Sequence, residues 1–97
     1  MAKGLQYRKI EWEREYWRAL AYLNGAESQA WLQEHLDISG LKTLSRLAEV
    51  SGINKGTLSK YFRQIQRPTV DVVAILCKSL DVAPADLLYG LGAISKD

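Results

Sequence analysis

The chain has 97 residues, 47% of them apolar and 25% charged, with a formal net charge of +2; this is the composition of one compact folded domain and excludes a wholly disordered chain. Its one cysteine, Cys77, excludes an internal disulfide and a cysteine-built zinc site and points to a reducing compartment. No apolar run reaches the roughly 18 residues of a membrane span, and the opening stretch MAKGLQYRKIEWERE is too charged for a secretion signal, so the expected location is the cytoplasm.

Apolar residues recur at helical spacing throughout, which predicts an all-α chain. A first helix is expected over residues 5–23, where Trp12, Tyr16, Ala19, Leu20 and Leu23 form one stripe, with Asn24 and Gly25 closing it as a left-handed C-cap. Trp12, Tyr16, Trp17 and Tyr22 are too many aromatics for a disordered arm. Arg8, Lys9, Arg14 and Arg18 alternate with Glu11, Glu13 and Glu15, a pattern suited to pairing along an exposed helix face. A second helix is expected over 27–36, with Ala30, Trp31, His35 and Leu36 available to face inward, followed by a connection containing Gly40.

Thr43 is a good N-cap for a third helix running to about residue 50, with Leu44, Leu47 and Ala48 buried. Ser51 and Gly52 stop it, and Asn54 caps a fourth helix that runs to residue 62 or 63. Pro68 and Thr69 reset the chain before an apolar helix over 70–80, with Val73, Leu76, Cys77 and Leu80 on one side. Pro84 fits the first turn of a last short helix carrying Leu87 and Leu88. Gly90 and Gly92 should break that helix and leave a loose end. The expected organisation is an extension helix over 1–25, a domain over 26–92 and a tail over 93–97.

Charge is unevenly placed. Between Thr43 and Arg67 the bases Arg46, Lys55, Lys60, Arg63 and Arg67 stand against one acid, Glu49. The residues before this block are balanced and those after it are acidic, so the middle of the chain should face a polyanion. TLSRLAEV, SGIN and KGTLSKYF make two short helices joined by a glycine-containing turn, the helix-turn-helix pattern. Small Ala48 lets the helices cross closely, Gly52 allows a positive φ, and Ile53 fills the angle. With Leu58 and Tyr61 turned inward, Gly56, Ser59, Lys60 and Arg63 share the opposite face, and Lys55 projects from its amino end. A glycine inside a helix costs roughly 1 kcal/mol relative to alanine, which is explicable if another surface must come close to the backbone. A major groove about 12 Å wide admits one such helix.

The run TLSRLAEVSGINKGTLSKYFRQIQRPTVDVVAILCKSLDVAPADLL, residues 43–88, resembles the DNA-binding domain of the Cro/cI-type phage repressors, also called the xenobiotic-response-element or lambda-repressor-like type. The resemblance implies an all-α, five-helix helix-turn-helix domain, with 27–36 as its first helix and the helix over 5–23 as an addition. It implies base contacts from Lys55, Gly56 and Lys60, with Ser59 beside them. It puts Thr57, Arg63, Gln64 and Arg67 near phosphates. Many members carry a glutamine immediately after the cap of the first motif helix, where this chain has Leu44; the phosphate grip is then expected from Thr43, Ser45 or Arg46. The expected activity is sequence-specific binding of double-stranded DNA by a transcriptional regulator, a repressor, of a bacterium or phage. A homodimer reading a palindromic operator, associated with the nucleoid when bound, would suit such a domain.

No nucleophile–base pair, carboxylate dyad or phosphate-cradling glycine loop is present, so catalysis is not expected. No cofactor or metal site is implied: His35 stands alone and Cys77 lies on an apolar stripe. Asp71, Asp81 and Asp86 are expected near helix starts. Dimerisation or docking of a protein partner is expected at Trp12, Tyr16, Trp17 and Leu20, or at Leu88, Tyr89 and Leu91, with Ile94 beyond. Two other readings are an antitoxin-type regulator that holds a toxin through its amino-terminal helix, and a helical protein-interaction module without DNA binding.

Overall fold

The structure, a computed structural model, describes residues 22–95. The described residues form five helices: α1 (Gly25–Ser39), α2 (Leu44–Ser51), α3 (Lys55–Phe62), α4 (Val70–Leu80) and α5 (Pro84–Gly90). The helix expected over 5–23, with Trp12, Tyr16, Trp17 and Leu20, lies outside the described residues except at its end, where Tyr22 and Leu23 are not helical.

α1 is longer than expected at both ends, for reasons written in its caps. Asn24 accepts from the Glu27 N–H and Glu27 Oε1 accepts from the Asn24 N–H, at 2.9 and 3.0 Å, a reciprocal capping box. Asn24 and Gly25 therefore start a helix and do not close one. The far end comes at Gly40, at φ 83, three residues beyond Asp37, whose carbonyl accepts its N–H at 3.2 Å. α2, α3 and α4 begin behind Thr43, Asn54 and Thr69, whose side chains accept from the first-turn amides, as the sequence predicts. Asp71 and Asp86 lie in the first turns of α4 and α5. Asp81 does not start a helix: it closes α4 in the left-handed region at φ 56.

The helices close around one core. Leu47, Leu58, Leu76 and Leu87 are fully excluded from solvent, and Trp31, Leu36 and Phe62 join them; each such side chain stabilises the fold by about 1.5–3 kcal/mol on burial. α2 packs on α3 and α4, α4 on α5, and α1 lies across α3, α4 and α5. Two inward assignments on α1 change. Ala30 is exposed, whereas Ser28 is fully buried and donates from Oγ to the Gly90 carbonyl. Gly90 stays within α5, because its α-carbon lies against the indole of Trp31 and leaves no space for a side chain. His35 stacks on the same indole at 3.9 Å between ring centroids. Its Nδ1 is 2.9 Å from the Trp31 carbonyl, which can only accept, so Nδ1 carries a proton.

The carboxyl-terminal end is more ordered than a loose tail. Leu91 is 1% exposed and belongs to the core, so it cannot serve as a dimer surface; Leu88 and Tyr89 are half-buried. Ala93 donates its N–H to the Leu88 carbonyl at 2.9 Å.

Candidate nucleic-acid interface

The site is built from α2, the turn after it and α3. Gly52 takes φ 74 and returns its N–H to the Ala48 carbonyl at 2.9 Å, a left-handed ending that a side chain would strain. Ser51 Oγ then accepts from the Ile53 N–H at 3.2 Å, and Ile53 packs against the core. Asn54 Oδ1 accepts from the Gly56 and Thr57 amides at 2.8 and 3.3 Å. Together these bonds fix the amino end of α3 against α2.

The buried side of α3 is Leu58, Tyr61 and Phe62. Its exposed side carries Lys55, Gly56 and Lys60, with Arg63 just beyond the last turn. None of the three cations has an acidic partner among the described residues. Thr57 is half-buried. Ser59 departs from the expected outward face. It is half-buried and lines a shallow pocket with Gln29, Gln33 and Leu44, which sets it at the edge of the exposed strip. Gly56 has a local reason to lack a side chain: a β-carbon there would stand 3.0 Å from Asn54 Oδ1, against the cap itself.

At the amino end of α2, Thr43 and Ser45 are exposed, and Thr43 Oγ1 accepts from the Arg46 N–H at 3.2 Å. Arg46 pairs with Glu49 at 3.0 Å, both side chains mostly exposed. Such a pair contributes about 0–1 kcal/mol, little enough for a competing anion to displace. Leu44 packs against the core and does not reach outward.

Two residues expected at phosphates are held elsewhere. Gln64 takes φ 62 and donates from Nε2 to the Leu23 carbonyl at 2.7 Å. The Arg67 guanidinium donates to the Leu91 and Gly92 carbonyls. Both side chains tie the α3–α4 connection to the two ends of the described chain.

Sequence reasoning missed Lys42, Gln66 and Gln33. Lys42 is exposed at φ 69 directly before the Thr43 cap, and Gln66 is exposed between Arg63 and Arg67. Gln33 Nε2 donates to the Lys42 carbonyl at 3.0 Å and to Asp37 Oδ1 at 3.1 Å, so it holds the backbone that leads into α2. The adjacency of Lys42 to a helix cap was the available signal; the reach of Gln33 has no local signature.

The arrangement has two helix amino termini and an unpaired cationic strip on one side, over a continuous core on the other. It can accept a polyanion along that side and has no cluster of metal-ligating residues among the described residues. No helix of the described residues is long and apolar enough to cross a membrane. No curated protein and no solved structure matches the chain. A family model, that of the Cro/C1-type HTH DNA-binding domain, matches residues 32–89, a span that contains the whole helix-turn-helix, and the chain belongs to that family.

Proposed function

We propose that the chain is a sequence-specific regulator of transcription, a repressor in a bacterium or phage, that sets α3 in the major groove of double-stranded DNA. The observation that carries this reading is the exposed strip of Lys55, Gly56 and Lys60, continued by Arg63, in which no cation is spent on a neighbouring acid. Lys55 and Lys60 would donate to base edges, most readily guanine O6 and N7, while Gly56 lets the backbone approach. Ser59, at the edge of the strip, would reach a base or the adjacent sugar-phosphate.

Phosphates on either side would be held by Thr43, Ser45, Arg46 and Lys42 at the amino end of α2, and by Thr57, Arg63 and Gln66 around α3. The helix dipole and free first-turn amides favour an anion at such an end. Binding would release Arg46 from Glu49. So few phosphate contacts give weak, salt-sensitive binding by one copy. A homodimer would set two α3 helices about 34 Å apart on a palindromic site.

Selection of bound duplexes from a random pool tests the reading. It predicts a motif with two inverted half-sites one helical turn apart. Recovery of no motif, with binding abolished by moderate salt for every duplex, would contradict it.

A further inference from the structure

Away from the α3 strip, α4 and α5 leave an apolar trough that no other described element covers. Pro68, Leu88 and Ala93 line one end and Cys77 and Val82 the other, with Val73 common to both. Val70 at its margin is 84% exposed. Surface of this kind is costly to leave in water in a chain of this size.

The chain comes into the fold at one end of the trough. The Leu23 carbonyl is gripped by Gln64 and lies beside Gly92. Arg67, whose guanidinium holds the Gly92 carbonyl, lines that end of the trough. Leu23 itself packs against the core, and it is the last member of the stripe that runs back through Leu20, Ala19 and Tyr16 to Trp12. A helix over residues 5–20 would be about 24 Å long, against about 16 Å for α4, at 1.5 Å per residue. It is long enough to follow the trough from end to end. Each aromatic ring of the stripe brings about 150–250 Å² of surface to bury.

We propose that residues 5–20 of the chain's own amino-terminal segment lay the stripe of Trp12, Tyr16 and Leu20 into the trough between α4 and α5 of the same molecule. Anchorage at Leu23 favours the chain's own segment over a second copy. A short tether holds the stripe at an effective concentration in the millimolar range, and its fixed point is already at the trough's edge. The packing does not depend on DNA binding, and a selected DNA motif would remain if it were absent, so the two readings fail separately.

Cys77, in the trough wall, reports on the cover. In the full chain its alkylation by a maleimide should be slow and independent of protein concentration. Trp12→Ala/Tyr16→Ala should speed it about tenfold or more by opening the trough, with the helical signal of the remaining domain retained. Ala74→Glu, at an exposed position in the trough, should release the segment from the other side and red-shift the tryptophan emission. Equal alkylation rates in wild type and both variants would overturn the proposal. So would protection that rises with protein concentration, which would place a second copy in the trough.

Discussion

Gln64 reaches back to the carbonyl of Leu23, 41 positions earlier, and holds it at 2.7 Å. Three residues further on, Arg67 holds the carbonyls of Leu91 and Gly92. The connection that follows α3 is thus a clasp between the ends of the described chain. Arg67→Ala should lower stability by about 1–2 kcal/mol, the scale of a charge-assisted hydrogen bond at a partly exposed site. Its effect on the salt dependence of DNA binding should be small. Arg63→Ala, at an exposed and unpaired position, should leave the unfolding midpoint alone and reduce the slope of log affinity against log salt by about 0.9. Urea titration and binding isotherms at several salt concentrations separate the two.

Asn54 fixes the groove-facing end of α3 by accepting two amides. Asn54→Ala should destabilise the domain by about 1 kcal/mol. Asn54→Asp should keep the cap and the stability, since a carboxylate suits a helix amino end. It would nevertheless place a negative charge against the DNA. Denaturation should therefore separate wild type and Asp from Ala, while a DNA titration should separate wild type from both.

Gly90 has no space for a β-carbon: one would lie 2.3 Å from the Trp31 ring. Alanine would gain about 1 kcal/mol of helix propensity, but overpacking against a buried ring costs about 1–3 kcal/mol, and this contact is at the severe end. Gly90→Ala should lower the thermal midpoint clearly. An unchanged or raised midpoint would mean that α5 and α1 do not meet as described.

Arg46 is held by Glu49 in the free protein. Glu49→Gln should cost less than about 1 kcal/mol of stability, as expected for an exposed pair. It should raise DNA affinity several-fold at low salt, because a cation at the amino end of α2 is released and an acid removed. Fluorescence anisotropy with labelled duplex measures the gain, which should shrink as salt is added.

The fold was legible wherever the signal was local. Thr43, Asn54 and Thr69 are caps that announce themselves by residue type, and the stripes of α2 to α4 follow from spacing alone. Gly52 was legible because a turn between two crossing helices needs a positive φ. Asn24 and Gly25 were misread because the same pair can end one helix or begin the next. The choice is made by Glu27, three residues ahead. Gly90 looked like a breaker because its reason for being glycine is the indole of Trp31, a contact across the fold. The site shows the same division. Lys55, Lys60 and Arg63 are exposed as their spacing on α3 requires. Gln64 and Arg67 looked like phosphate ligands because they are polar and follow a basic helix. Their actual partners are backbone carbonyls far away in sequence, which composition and periodicity do not encode.

The central claim is that Lys55 and Lys60 read bases. The most direct measurement is selection from a random duplex pool, run in parallel on wild type, Lys55→Ala/Lys60→Ala and Arg63→Ala. The account predicts a palindromic motif for wild type and the same motif at weaker affinity for Arg63→Ala. For the double variant it predicts loss of preference at specific base pairs of each half-site. An identical motif from wild type and the double variant would contradict it, because the exposed strip of α3 would then not be the surface that distinguishes one sequence from another.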